Sequence, residues 1–327
     1  LTQQTSTSPK SMEVWKKILI GVPVVLISVV LLAFVAAWLL EDKIKQKIVA
    51  EINEQVTVPV QVKGGIDFSL LRHFPYAALM FNKVSVNDRL QSGSKKLLYA
   101  QEVSFLCNIY SLFGNEIEFS KIVMREGELN LYKDELGRNN FDILKPQKSA
   151  TKNSLTIQLK KAEVKGVKFT YVDKTQSVSV NLKLNNVFLS GNFKDEYFLL
   201  YSKSKIFVNR IVVNGEEFLN GKSISADVTL DVNKKQKKFN FKKGEIALDE
   251  TAFSITGFFT ALKNGTQLDF KLLNEGKDIR NLFALLPEGY KTHFANANGS
   301  GEYSIAADVK GVVSKNSFPK VNVSADL

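Results

Sequence analysis

The chain has 327 residues, 44% hydrophobic and 24% charged, and its 44 Lys and Arg against 33 Asp and Glu give a formal net charge of +11. A single cysteine, Cys107, excludes an intramolecular disulfide framework and a paired-cysteine metal motif. The basic balance would suit anionic lipid headgroups or nucleic acid, but no nucleic-acid motif is present, so nucleic acid is not expected as a partner.

Residues 18–40 form an uncharged apolar run of 23 residues, ILIGVPVVLISVVLLAFVAAWLL. A helix of that length covers roughly 34 Å and crosses the hydrocarbon core of a bilayer. Trp15 and Trp38 bracket the run where indole rings favour the two membrane interfaces. We therefore predict a cytoplasmic tail at 1–17 and a transmembrane helix at 18–40, with Trp15 and Trp38 as interface anchors.

A buried helix of a soluble domain and a cleaved signal peptide are the alternatives for this run. A soluble core rarely needs so long an uninterrupted apolar segment, and a signal peptide has an apolar core of about 7–15 residues that ends in small residues. Here the run ends in Trp38-Leu39-Leu40, so the prediction is a retained anchor. Lysines on both sides leave the orientation undecided by charge, and the short N-terminal tail favours an exported body.

Ile44, Ile48 and Ile52 recur every four residues among Lys, Gln and Glu, as in an amphipathic helix. The pattern predicts a helix over 41–55 that continues the anchor and plugs one end of the body. A helix that lies flat on the membrane is the rival interpretation.

From Val56 onward the hydrophobic period is two, which is typical of half-buried strands. Asn214-Gly215, Asn220-Gly221 and Asn264-Gly265 are hairpin-turn signals between such segments. Residues 56–327 are therefore predicted to form a long antiparallel meander with one apolar and one polar face. The side chains expected to line the apolar face are Val178, Val180, Leu182, Leu184, Ile224, Val228, Leu230, Phe239 and Phe241.

Helices are scarce after residue 55, and the one candidate runs from Asp278 to Leu286 and is ended by Pro287. One short helix cannot cover the apolar face of ten or more strands. That face must pack on a second sheet, close into a barrel, or meet another apolar partner.

Catalytic signals are absent from the sequence. His73 and His293 are the only histidines and lack a ligand-spaced partner, and no nucleotide-binding, serine-hydrolase or zinc-protease motif occurs. Asp134 and Glu135 belong to a turn with Gly137 and are interpreted as a solvated loop. We predict no enzyme activity, no cofactor, and no catalytic or metal-binding residues. The lysine run at 234–238 is interpreted as a hairpin tip, with contact to phosphate headgroups as the functional alternative.

Two stretches resemble a known family. Residues 65–88, GIDFSLLRHFPYAALMFNKVSVND, resemble the segment after the anchor in AsmA-like proteins. Residues 127–144, GELNLYKDELGRNNFDIL, are similar to the family's strand, charged turn and following Asn-aromatic-Leu pattern, and 282–290 with the Gly-rich strand at 299–303 fits its middle region. The order of these motifs behind one anchor carries the resemblance. Thr57-Val58-Pro59 departs from the Thr-Gly of many members.

The resemblance implies a single-pass inner-membrane protein of bacteria with two membranes, its body in the periplasm, related to the AsmA/TamB group of bridge-like lipid-transfer proteins. The implied fold is mainly β: an N-terminal transmembrane helix followed by an elongated antiparallel β-sheet curled into an open, taco-like apolar groove. Members are usually longer, so further chain is expected after Leu327.

The implied function is binding of phospholipid acyl chains in the β-groove, in support of lipid transport to the outer membrane or of its homeostasis. Outer-membrane or periplasmic proteins are left open as further partners. A periplasmic scaffold that affects outer-membrane protein assembly without carrying lipid is the alternative. A hydrolase of envelope material is disfavoured because no nucleophile and base pair can be named.

Overall fold

The computed structural model describes residues 49–50, 53–54, 56–73, 76–90, 96–108, 119–143, 145, 159–249, 251–263, 265–278 and 300–326. The chain divides into a unit of residues 1–52 and a body of residues 53–327. Val49, Ala50, Asn53 and Glu54 are helical, and the rest of the helix predicted over 41–55 lies outside the described residues.

The predicted transmembrane helix at 18–40, the tail at 1–17, and the interface residues Trp15 and Trp38 also lie outside the described residues. Within the ranges that are described, no helix is both long and apolar enough to cross a membrane.

The body is built on strands, as the period-two pattern predicts. Its elements are β1 (Val60–Val62), β2 (Ile66–His73), β3 (Tyr76–Asn87), β4 (Lys96–Asn108), β5 (Phe119–Lys133), β6 (Lys161–Asp173), β7 (Val178–Ser190), β8 (Tyr197–Val213), β9 (Glu216–Phe218), β10 (Lys222–Asn233), β11 (Lys238–Leu248), β12 (Thr251–Leu262), β13 (Gly265–Asp278), β14 (Ser300–Val313) and β15 (Lys320–Asp326).

All fifteen strands in the described part of the chain belong to one sheet, in the order β1-β3-β4-β5-β6-β7-β8-β10-β11-β12-β13-β14-β15, with β2 paired to β3 and β9 paired to β8. The sheet is open, because no pairing among the described residues joins β15 back to β1. The mainly β, open-sheet part of the predicted fold is confirmed. The strands of the described residues all belong to this sheet and supply no second sheet for the apolar face.

One pair of strands corrects the predicted antiparallel meander. β5 and β6 are parallel, with Leu129 opposite Phe169 and Leu131 opposite Tyr171. Parallel neighbours need a crossover of a dozen or more residues, and the connection 134–160 is long enough to supply it. Hydrophobic alternation has the same period in both kinds of ladder, so the pattern could not distinguish them.

The predicted hairpin turns can be placed residue by residue. Asn214 and Gly215 join β8 to β9 with positive φ angles of 52° and 88°, as expected of a two-residue hairpin loop. Gly221, at φ 69°, lies between β9 and β10. At the third signal, Gly265 is already the first residue of β13 and pairs with Leu262, and Asn264 lies outside the described residues.

The predicted helix from Asp278 starts too early. Asp278 is the last residue of β13 and pairs with Ser300 of β14, because the ladder between these strands continues to that point. Residues 279–286 lie outside the described part of the chain.

Candidate functional site

All nine side chains predicted to line the apolar face are brought to one face of the sheet. Directly opposed residues of antiparallel strands share a face, and the ladder register carries this relation from strand to strand. Leu182 lies between Phe169 and Val208, and Leu230 lies between Leu200 and Phe241. We call this surface the apolar face. Its predicted members are Val178, Val180, Leu182 and Leu184 on β7, Ile224, Val228 and Leu230 on β10, and Phe239 and Phe241 on β11.

Burial on the apolar face is uneven. Val228, Leu230 and Val232 are buried, and Phe198, Leu200, Ala226, Phe239, Phe241 and Ile246 pack against them. Every member of this cluster comes from the apolar face of β8, β10 or β11. Val178, Val180, Leu182, Leu184 and Ile224 remain partly exposed. The side chains therefore pack beside one another along the sheet and leave part of their surface uncovered.

A patch of phenylalanine rings extends the apolar face over β11, β12 and β13. The Phe239 and Phe259 rings stack with centroids 4.5 Å apart, and Phe241 meets Phe270 edge to face at 5.6 Å. Gly257 separates Phe241 from Phe270 in the ladder. Its missing side chain lets the two rings meet across the strand. Hydrophobic alternation indicated Phe239 and Phe241 but not Phe259, which follows Phe258 and so gives no period-two signal of its own.

The opposite face of the same strands is charged. Cross-strand ion pairs join Lys203 to Asp227 at 3.4 Å and Lys310 to Asp269 at 3.0 Å. On β6, Glu163 accepts from Lys121 at 2.7 Å and from Lys165 at 2.6 Å. Desolvation alone would raise the pKa of Glu163, but these two ammonium groups outweigh it and hold the pKa below its usual value. The sheet is thus a single amphipathic layer over these strands.

Two distant parts of the sheet touch where the β6–β7 turn meets the β14–β15 turn. The main-chain N–H of Lys315 donates to Oε1 of Gln176 at 2.9 Å. Seven strand-to-strand steps separate β6 from β14. At a twist of about 20–25° per step they accumulate roughly 140–175°, which nearly reverses the strand direction. The accumulated twist therefore explains how the β6–β7 turn and the β14–β15 turn, which lie at opposite ends of their strands, come together.

A cavity of about 440 Å³ lies behind this contact, and we call it the apolar-face cavity. Tyr171, Val178 and Val213 line one side, and Thr266 and Val313 line the other. The register places all of them on the apolar face. Here the two halves of the sheet turn the same face toward each other, so the apolar face is concave.

A polar cluster at the end of β6 interrupts the apolar face beside this cavity. The buried carboxylate of Asp173 accepts hydrogen bonds from Tyr171 Oη at 3.0 Å, Thr175 N at 2.9 Å and Gln176 N at 3.1 Å, and pairs with Lys133 Nζ at 3.2 Å. Desolvation alone would raise the pKa of Asp173, but these bonds outweigh it and lower the pKa. Desolvation and the Asp173 charge raise the pKa of Tyr171 to about 12.

Sequence reasoning missed the Asp173 cluster. Its only sequence signal is a polar residue, Asp173, at a position where the alternation requires an apolar one.

The charged turn after β5 is structural. Asp134 accepts from Arg138 Nε at 2.6 Å and from the main-chain N–H groups of Leu136 and Arg138. Desolvation alone would raise the pKa of Asp134, but Arg138 and these bonds hold it below its usual value. Asn140 is fully buried and bonds Tyr132 N at 2.8 Å and Asn130 O at 3.0 Å. Through these bonds the Asn140 side chain pairs with the main chain of β5 at the end where β4 no longer lies beside it.

The lysine run forms a hairpin tip, as predicted. Residues 234–237 turn between β10 and β11, and Lys234 Nζ donates to Phe193 O at 2.8 Å. The Lys238 ammonium lies 4.0 Å from the Phe258 ring centroid. Over the part of the chain that the structure describes, no group of three His, Cys, Asp or Glu is arranged to hold a metal ion.

Comparison with known families decides the relationship. A family model described as the AsmA family matches residues 12–194, more than half of the chain. The chain belongs to the AsmA family. The matched segment ends just after β7, while β8 to β15 continue the same sheet and the same apolar face beyond it. No curated protein matched the chain. AsmA membership suggests a role in membrane or lipid-related processes or in outer-membrane assembly.

Proposed function

We propose that this chain is a single-pass inner-membrane protein whose periplasmic body binds phospholipid acyl chains along the apolar face of its sheet. In this proposal the sheet is a groove, curled around the apolar face, and the protein supports lipid transport to the outer membrane or the lipid homeostasis of that membrane. Phospholipid and the inner membrane are its partners.

The uncovered apolar face is the observation that carries the proposal. Fifteen strands form one layer, and the described residues provide no second sheet to cover the side chains of β7, β10 and β11. Removing apolar surface from water is worth about 25 cal/mol per Å², so a surface of this kind favours an apolar ligand. Acyl chains are the apolar ligand that a membrane-anchored member of the AsmA family would meet.

The arrangement also suits movement of a lipid along the sheet. Strands lie about 4.8 Å apart, so the thirteen strands on the main path of the order span roughly 60 Å along the curved sheet. The apolar face continues across this order from Val86 on β3 through Leu182 on β7 to Val309 on β14. On a continuous face an acyl chain makes similar contacts at successive positions, so it can move along the sheet without losing much binding free energy.

A pair of neighbouring substitutions tests this function in the bacterium. Leu182→Asp places a carboxylate on the apolar face, whereas Lys183→Glu changes an exposed residue of the opposite face of the same strand. We expect both variants to accumulate normally, and only Leu182→Asp to lower the phospholipid content of the separated outer membrane, measured by mass spectrometry.

The same experiment addresses the scaffold alternative. If Leu182→Asp leaves outer-membrane phospholipid unchanged while outer-membrane proteins assemble poorly, the lipid function is wrong and a scaffold explains the protein better.

A further inference from the structure

We infer that a second cavity, next to the apolar-face cavity, binds the phosphate headgroup of a lipid whose acyl chains lie on the apolar face. This inference rests on the proposed function and adds to it a headgroup site and a preference for anionic lipid. The cavity has a volume of about 550 Å³, and we call it the lysine cavity.

The lysine cavity lies where the β5, β6–β7, β12–β13 and β14–β15 ends come together. Three ammonium-bearing side chains line it, Lys133, Lys263 and Lys315, together with the neutral polar side chains of Thr175 and Asn316. The Lys315 main chain is held by Gln176. Lys263 and Lys315 are close because β12 and β14 both pair with β13, and the curvature of the sheet brings Lys133 of β5 to them. No local motif in the sequence indicates this cluster.

The charges in the lysine cavity are only partly compensated. Lys133 pairs with the buried Asp173 at 3.2 Å. Lys263 and Lys315 have no acidic partner among the residues that the structure describes, and both are exposed. Glu135 lines the same cavity and opposes an anion there. The two unpaired ammonium groups are free to donate charge-assisted hydrogen bonds to phosphate oxygens.

The two cavities together fit an amphiphile. Both are lined by Lys133, Gln176, Lys263 and Ser314, so they adjoin. One continues into the apolar face through Val178 and Val313, and the other is lined by lysines and opens toward solvent. A free phosphate would use only the lysine side, whereas a phospholipid would use both. The shared lining therefore favours a lipid phosphate.

The test uses the full chain with a photo-crosslinking side chain at position 313, reconstituted in vesicles of phosphatidylglycerol with a minor share of diacylglycerol of the same acyl composition. Mass spectrometry of the adducts gives the ratio of phosphatidylglycerol to diacylglycerol captured. We expect Lys263→Glu with Lys315→Glu to lower that ratio about tenfold, the loss expected when charge-assisted bonds to phosphate are removed. The Lys315 change leaves its main-chain bond to Gln176 in place.

Two further variants make the result specific. Lys183→Glu with Lys205→Glu changes the net charge equally but lies on the opposite face, and it should leave the ratio unchanged. Glu135→Gln should raise the ratio because it removes the opposing carboxylate.

An unchanged ratio in the Lys263 and Lys315 variant, with both lipids still captured, overturns the headgroup site alone. Failure of the parent protein to capture either lipid overturns the proposed function itself. If the Lys263 and Lys315 substitutions weaken binding of inorganic phosphate to the full chain but leave this ratio unchanged, the cavity binds free phosphate and the lipid assignment is wrong.

Discussion

At the residue scale, two leucines on the same face differ in what surrounds them. Leu79 of β3 is fully buried and lies opposite Phe105 of β4, whereas Leu182 of β7 is partly exposed between Phe169 and Val208. If both positions lay in a dry core, a charged side chain at either of them would destabilise the fold. On an open face, the carboxylate of an Asp at position 182 can reach water.

Leu79→Asp and Leu182→Asp should therefore differ in how much they lower the free energy of unfolding. We expect Leu79→Asp to destabilise the body by about 3–5 kcal/mol, because an unpaired charge is buried, and Leu182→Asp to cost only about 1 kcal/mol of lost apolar contact. Chemical denaturation of the full chain in detergent, followed by circular dichroism, measures both. Equal and severe unfolding of the two variants would contradict an open face at β7.

Asp173 makes a second residue-scale prediction. Its pKa is lowered in the folded body, so the carboxylate contributes stability above its unfolded value of 3.8, and this stability is lost as the pH falls through the lower folded value. We expect Asp173→Asn to cost about 1–3 kcal/mol at neutral pH and nothing once the parent carboxyl is protonated in both states. Denaturation curves across this pH range give the comparison. A constant penalty at all pH values would mean that charge is not the cause.

At the element scale, Gly257 sets how closely β12 approaches β13. Its φ is 109°, and a Cβ there would lie 1.9 Å from the carbonyl oxygen of Asp269. Gly215, in the β8–β9 turn, also has a positive φ of 88°, but an added Cβ would meet nothing within 4 Å. An alanine would therefore be strained by the positive φ at either position, but it would clash with the neighbouring strand only at position 257.

Gly257→Ala should consequently destabilise the body more than Gly215→Ala. We expect about 1–2 kcal/mol for the turn position from backbone strain alone, and at least about 3 kcal/mol for Gly257, since the strands must also separate and part the Phe241 and Phe270 rings. Thermal unfolding of the two variants measures the difference. Similar losses would show that the close approach at Gly257 relaxes without cost.

The sequence pattern predicts where a strand lies in the chain better than it predicts which strands and side chains that strand contacts. Alternation identified β7 and β10 and put Val180 and Leu230 on one face, because side chains in a strand point alternately to the two sides. It could not show that β5 and β6 are parallel, since the period is the same. It also missed Phe259 and the lysine cavity. Lys263 and Lys315 lie at the same end of two strands that flank β13, but they meet Lys133 only through twist summed over many strands, which no local window of sequence contains.

At the scale of the whole molecule, the proposal places the body in the periplasm. In intact cells, protease should therefore cleave the body only after the outer membrane is permeabilised. Immunoblotting against the body measures this, with a cytoplasmic protein as the control for lysis. Digestion from the cytoplasmic side of inverted vesicles would contradict the proposed orientation.

Whether the apolar face carries acyl chains can be measured by a crosslinking scan along β7. A photoreactive side chain is placed in turn at each position from 178 to 184 of the full chain in membranes, and adducts are identified by mass spectrometry. Positions 178, 180, 182 and 184 share the apolar face, while 179, 181 and 183 lie on the other. We expect phospholipid adducts at the even positions only. Lipid adducts without this alternation, or protein adducts alone at the even positions, would contradict binding of acyl chains to the apolar face.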